Sequence, residues 1–151
     1  MDYEIGRIGR VIVARGFDGE DVYAGIESLA AKESIRSAAV VVVGGLRRGK
    51  VVVGPESPNG PIEPVYAEFD DARELAGVGT IFCDEGTPKL HLHGAIGRGK
   101  ETIAGCPRGG AEVFCTLEAI LFEIEGLDAE RRLDPEMGLK LLAFAGVHSQ
   151  V

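Results

Sequence analysis

Ser34 to Gly45 reads SIRSAAVVVVGG, and the reading of this stretch decides the fold. A continuous apolar run that stops at two glycines predicts a central strand covered on both faces. On its N-terminal side, residues 8 to 15 (IGRVIVAR) are rich in Val and Ile and end at a Gly-Phe-Asp-Gly turn, which predicts another strand. Between the two, Val22, Ile26, Leu29 and Ala30 recur at helical spacing, so a helix over 20–33 is expected, with Asp18 or Glu20 near enough to cap it.

On the C-terminal side, Gly49 separates Leu46-Arg47-Arg48 from Lys50-Val51-Val52-Val53 and predicts a hairpin there, with the arginines at its exposed end. Residues 54–64 (GPESPNGPIEP) hold four prolines and two glycines and are expected to form a surface loop. Beyond it, 65–69, 74–83, 89–96, 111–124 and 139–144 read as strands separated by Gly and Asp turns, without a fixed-period repeat. One early helix followed by hairpin-linked strands is the pattern of an α+β fold on an antiparallel sheet, and not of alternating βαβ units. The 151 residues suit a single domain spanning 1–151.

Composition narrows the function. Sixteen Lys and Arg against 24 Asp and Glu give a net charge of -8, which opposes unaided binding to a phosphate backbone. No stretch approaches a membrane span and the N-terminus has no signal-peptide core, so a cytoplasmic protein is expected. Its three cysteines are read as thiols or ligands and not as a disulfide framework. No Walker-type glycine loop is present, and Gly44-Gly45 leads into another strand, unlike a dinucleotide fingerprint.

Chemistry concentrates at Leu90-His91-Leu92-His93. On a strand, alternate side chains share a face, so the two imidazoles can grip one ion. Cys106 follows thirteen residues after His93, past a Gly-Arg-Gly-Lys turn that can bring the chain back to the rings. Two imidazoles and a thiolate suit zinc and leave a fourth position for water or a substrate oxygen. A His-x-His pair alone is equally what two polar residues on a sheet face would give; Cys106 is what tips the reading toward a metal. Arg108, two residues past Cys106, is a candidate for orienting an anionic substrate, and Glu118 for a general base. Simple alternation, with Glu118, Glu123 and Glu125 on the solvent side of a strand, explains Glu118 as well. Cys83 and Cys115 read as buried apolar thiols, His148 as a solvated tail residue, and Arg47, Arg48 and Lys50 as solubilising charge.

Gly19-Glu20-Asp21-Val22, Ile35-Arg36-Ser37-Ala38, Gly44-Gly45-Leu46 and above all Pro88-Lys89-Leu90-His91-Leu92-His93-Gly94 give the chain its resemblance to the plants-and-prokaryotes-conserved (PPC) domain family, nearly end to end. Where the family carries a third histidine in a Gly-Gly-His-Leu stretch, this chain has Ala104-Gly105-Cys106-Pro107. Residues 133–142 are similar to the closing hairpin of archaeal and bacterial members. The resemblance implies an antiparallel-sheet domain forming a homotrimer, a metal in many prokaryotic members, and association with DNA or with a DNA-binding protein in plant relatives, which add an AT-hook. The chain has no such hook, and Arg73-Glu74-Leu75-Ala76-Gly77 only loosely resembles the plant partner-binding motif. A wider likeness reaches acetolactate decarboxylase, whose zinc is held by a His-x-His pair and a later histidine. Two functions are therefore expected: a trimeric, metal-binding scaffold with DNA or protein partners, or a small zinc enzyme acting on a carbonyl or carboxylate compound.

Overall fold

A computed structural model describes residues 1–59 and 62–145; His148 lies outside the described residues, as do residues 60 and 61 of the expected 54–64 loop. The order is β1 (Arg7–Phe17), α1 (Val22–Lys32), β2 (Ser37–Pro55), β3 (Pro64–Phe69), β4 (Arg73–Asp84), β5 (Thr87–Arg98), β6 (Glu101–Pro107), β7 (Glu112–Glu125), β8 (Ala129–Asp134) and β9 (Leu139–Phe144). The described residues are thus mostly strand with one short helix. Every strand pair is antiparallel except β4 with β8, which makes the sheet mixed where an antiparallel one was expected. None of the described helices is long and apolar enough to cross a membrane.

Helix α1 starts at Asp21, whose carboxylate accepts from Ala24 N–H at 2.8 Å. The expected caps are engaged elsewhere, Asp18 with Arg47 and Cys115 N–H and Glu20 with Phe17 N–H. Val22, Ile26 and Ala30, spaced four apart, form its buried stripe. It ends where Ser34 takes a left-handed φ of 58°, letting Ser34 N–H reach Ala31 O and Ile35 N–H reach Ala30 O. That is a Schellman closure, with fully buried Ile35 as its apolar contact.

Two expectations about β2 are corrected. No hairpin forms at Gly49: β2 is one 19-residue strand through it, because β3 pairs from residue 49 onward and satisfies the same backbone groups a turn would have left open. Nor is the valine run covered on both faces. Val40 and Val42 are fully buried, whereas Val41 and Val43 remain 37% and 46% exposed.

Along its first half β2 hydrogen-bonds to β4 on one side and β7 on the other. It then bends at Gly44-Gly45, where two residues of β7, Cys115 and Thr116, are left without a β2 partner between Leu117 and Phe114. Gly44 has a φ of 146°, and a Cβ there would lie 2.5 Å from Thr116 O, so only glycine fits the bend. After it, β2 pairs with β3 and, at Val51 and Val52, with β6. Since β6 also pairs with β5 and β5 with β4, strands β2, β4, β5 and β6 close on themselves around a core of Val40, Val42, Leu46, Val51, Ile81, Leu92 and Ile96.

Closure is tightest at Gly105, where a Cβ would stand 2.2 Å from Val52 O. Gly105→Ala must push β6 away from β2, with an expected loss of about 1–3 kcal/mol. A urea unfolding midpoint reads this directly.

Candidate metal centre

Strand β5 presents Leu90 and Leu92 inward and His91 and His93 outward, the alternation expected from the sequence. The two imidazoles meet edge to face, ring centroids 4.9 Å apart, with Nε2 to Nε2 at 3.1 Å. A tetrahedral zinc with Zn–N bonds of about 2.0–2.1 Å holds two nitrogens about 3.3 Å apart, so the pair is nearly at chelating distance.

Cys106 reaches them by way of β6 and not by a simple turn. Residues 101–107 form a strand that the sequence reading missed, pairing with β5 from Arg98–Glu101 to Gly94–Gly105. One residue further, Cys106 stands beside His93. Ligand atoms of His91, His93 and Cys106 all lie within 4.8 Å of one another, the imidazoles toward solvent and the thiol buried. One soft and two borderline donors on one open side make a donor set that fits zinc.

Helix α1 supports this group through two side chains not singled out from sequence. Over residues 89–93 no strand pairs with the outer edge of β5, and Glu27 fills in by accepting from Leu90 N–H at 3.0 Å and from Lys89 Nζ at 2.9 Å. The Tyr23 hydroxyl donates to Pro107 O and lies 3.9 Å from the Cys106 sulfur. Burial, then the neighbouring Cys106, push the Tyr23 phenol well above its usual range, so it stays a neutral donor. A tyrosine beside the apolar stripe, one residue after Val22, was the only signal for it.

Arg108 is exposed and lines, with His93, Cys106, Gly105 and Val52, a cavity of about 390 Å³. Glu118 is not brought to the site. It stands exposed on β7 between Arg15 and Val43, and β2 and β4 intervene before β5. Cys83 is buried as expected, but Cys115 is exposed, turned outward by the bulge that sets its φ at 64°. Arg47 and Arg48 pair with Glu112 at 3.2 and 2.6 Å, and Lys50 with Glu68 at 3.2 Å. Arg73, in the stretch resembling the plant partner motif, is held by Asp71 at 2.7 Å.

Protein packed around the His91 ring, then the positive charges of Arg131, His93 and Arg108, lower its pKa below the ordinary imidazole value. A lowered value means the ring is neutral and ligand-ready at pH 7. The unfolded chain takes up the proton first as pH falls, so this group's contribution to stability is present above the unfolded value of about 6.5 and is lost below it. In metal-free protein, NMR titration of the ring is expected to give a His91 midpoint below about 6.5, moving upward in Arg108→Gln.

Residues 3–125 match the family model described as the Plants and Prokaryotes Conserved (PCC) domain. Among solved structures, a metal-containing protein from Archaeoglobus fulgidus is 24% identical, with a TM-score of 0.85 over 95% of this chain and 99% of that one. A plant- and prokaryote-conserved protein from Pyrococcus horikoshii is 25% identical, with a TM-score of 0.83 over 97% and 100%. A protein from Bacteroides thetaiotaomicron, to which DNA binding is provisionally ascribed, is 16% identical with a TM-score of 0.78 over 93% and 99%. No curated protein matches the sequence.

Proposed function

Since the chain belongs to the Plants and Prokaryotes Conserved domain family, we propose that it is a metal-binding, self-assembling module whose ion, zinc by its donor set, is held by His91, His93 and Cys106. The observation that carries this is the convergence of the three donor atoms within 4.8 Å. The similar Archaeoglobus fulgidus protein, described as metal-containing, supports it. A cytoplasmic setting fits as well, because it keeps the Cys106 thiol reduced and free to coordinate. Zinc there supplies a Lewis acid with an exchangeable position. The residues of the chain do the rest: α1 fixes β5 through Glu27, Tyr23 holds the turn after Cys106, and Arg108 borders the open side.

Purified wild type is expected to hold one zinc per chain, lost in His93→Ala and Cys106→Ala and retained in Cys106→His. Substituting cobalt gives a second readout, a thiolate-to-metal charge-transfer band that disappears in Cys106→His. Metal-free wild type after exposure to zinc would refute the site.

Self-assembly, as a homotrimer, is supported by the sheet face that α1 does not cover. Registered neighbours Val13, Ile120, Val41, Val78 and His93 form one row across β1, β7, β2, β4 and β5. Of these, Val13 and Val78 are 74% and 66% exposed, an apolar surface leading straight to the site. Light scattering should give three times the 16.0 kDa chain mass, and Val41→Lys with Val78→Lys should dissociate the assembly. A monomeric wild type would refute it.

A DNA or DNA-binding partner draws support from the provisional description of the Bacteroides relative. It draws little from this chain, whose densest basic cluster is neutralised by Asp18, Glu112 and Glu68. A second reading, a small zinc enzyme acting on a carbonyl or carboxylate compound, is favoured by one observation: the cavity lined by His93, Cys106 and Arg108. There Arg108 would orient an anionic group beside the ion. Glu118 lies too far round the sheet to move its proton.

A further inference from the structure

The cavity beside the metal centre lies where two strands part. Strand β6 pairs with β5 from Arg98–Glu101 to Gly94–Gly105 and meets β2 only at Val52–Cys106 and Val51–Pro107. Strand β2 runs on with β3 to the pair Pro55–Pro64. Residues of both strands line the space of about 390 Å³ at this parting.

Three of its lining side chains are polar: His93, Cys106 and Arg108. Arg108 is rooted on both sides. Its N–H donates to Lys50 O at 2.9 Å, and its carbonyl accepts from Ala111 N–H at 3.2 Å across a turn with Gly110 at a φ of 90°. Among the described residues no carboxylate pairs with its guanidinium, whereas Arg47, Arg48 and Lys50 of β2 each have one. An exposed cation on a fixed backbone, beside an open set of metal donors, is ready for an anion.

Gly54 and Gly105 apart, the rest of the lining is apolar: Val52, Val53, Pro55, Ile62, Pro64 and Leu139. A bulge brings Val53 there. Strand β2 has one residue more than β3 between Val52–Tyr66 and Gly54–Val65, so Val52 and Val53, which regular alternation would set on opposite faces, border the same cavity. Gly54 follows at a φ of 142°, a backbone that favours glycine. From Val52, opposite Cys106, the strand advances about 10 Å to Pro55. Just past that point Glu56 N–H donates to Glu63 O at 2.8 Å, which sets two acidic residues beyond the apolar stretch.

Each of these features narrows the ligand. One unpaired cation selects one anionic group, and the acidic pair opposes a second at the far end. The stretch between them favours hydrocarbon, because a hydroxyl there would lose its water without gaining a partner. Val53 and Ile62, 43% and 39% exposed, are walls that a hydrocarbon chain would cover.

We propose that this cavity binds an aliphatic monocarboxylate of short to medium chain, its carboxylate on Arg108 at the metal's open side and its chain along Val53 and Ile62. This rests on the metal reading above for the site it shares, and adds the ligand class. A planar carboxylate meets a single guanidinium through two parallel N–H bonds.

The test titrates zinc-loaded protein calorimetrically with butanoate, hexanoate and octanoate, and with hexylamine as a similar tail without the anion. Wild-type affinity is expected to rise from butanoate to hexanoate by at least twofold per methylene, and by about fourfold at full burial. Hexylamine is expected not to bind. Arg108→Gln should weaken every acid at least tenfold and keep the dependence on chain length, while Val53→Ser and Ile62→Ser should flatten that dependence. Because all three side chains are exposed, zinc content and thermal midpoint should stay at wild-type values.

A wild type that binds none of the acids, an affinity indifferent to chain length, equal hexanoate affinity in Arg108→Gln, or hexylamine binding as tightly as hexanoate would each overturn the proposal and leave the metal reading intact. So would hexanoate that dissociates the assembly in light scattering, since the cavity would then belong to side chains of a second copy. A wild type that takes up no zinc would overturn the metal reading, and the same chain-length series on that protein then decides the ligand class by itself. Should Val53→Ser fail to fold, Ile62→Ser decides, and an unchanged slope there overturns the assignment.

Discussion

Everything else in this structure depends on the bend in β2. One strand of 19 residues supplies backbone partners to β4 as far as Leu46 and to β7 as far as Arg48, and to β3 and β6 from Gly49 onward. A straight strand of that length would span about 60 Å and could not return to its own sheet. By turning at a glycine bulge it carries Val51 and Val52 round to β6, and β6 is the strand that delivers Cys106 to the edge of the histidine pair. The metal group is therefore a product of sheet closure. His91 and His93 are brought together by strand alternation alone, but their third partner arrives only because a carbonyl of β2 can pass within contact of Gly105.

Closure leaves one edge open, and the single helix answers it. Strand β6 pairs with β5 only from Gly94 onward, so the amides of residues 90 and 92 face away from the sheet. A buried, unpaired amide is costly, and Glu27 and Tyr23 supply the acceptors that a strand would otherwise provide. The same two side chains fix Lys89 and the Cys106–Pro107 turn. Thus α1 has two faces with separate duties: Val22, Ile26 and Ala30 seal the core, while Tyr23 and Glu27 complete the sheet edge beside the site.

The sequence made the site more legible than the fold around it. His-x-His on a strand is a local statement, readable from alternation, and Cys106 was readable from its place past the Gly-Arg-Gly-Lys turn and again from the family resemblance. What pattern could not convey was long-range pairing. Gly49 looked like a turn because glycine marks turns more often than mid-strand close approaches, yet here it sits under Phe69, where a Cβ would lie 3.0 Å from the ring. The segment 101–107 (ETIAGCP) has too few large apolar residues to announce a strand, since its role is to pass close to two neighbours. Glu118 could be read two ways, as a general base or as a solvent-side residue set by alternation, and it stands exposed on β7. A carboxylate in an apolar run signals either function or an exposed face, and four valines in β2 had suggested that both faces of the sheet were covered; Val41 and Val43 show that one is bare.

That bare face bears on how charge works in this protein. The chain as a whole is acidic, at -8, yet the rim of the histidine pair is cationic, with Arg108 and Arg131 acting on His91. These facts are compatible because they operate over different lengths. At physiological ionic strength exposed charges are screened beyond about 8 Å, so the acidic surface does little to a ligand already inside the site. Arg108, which lines the cavity beside His93 together with Val52 and Val53, acts at shorter range and is screened less. A polyanion such as duplex DNA must approach across the acidic surface and meet it over a wide area, whereas a small anion need satisfy only the local field. The same charge distribution that opposes a long phosphate backbone therefore favours a compact one-site ligand.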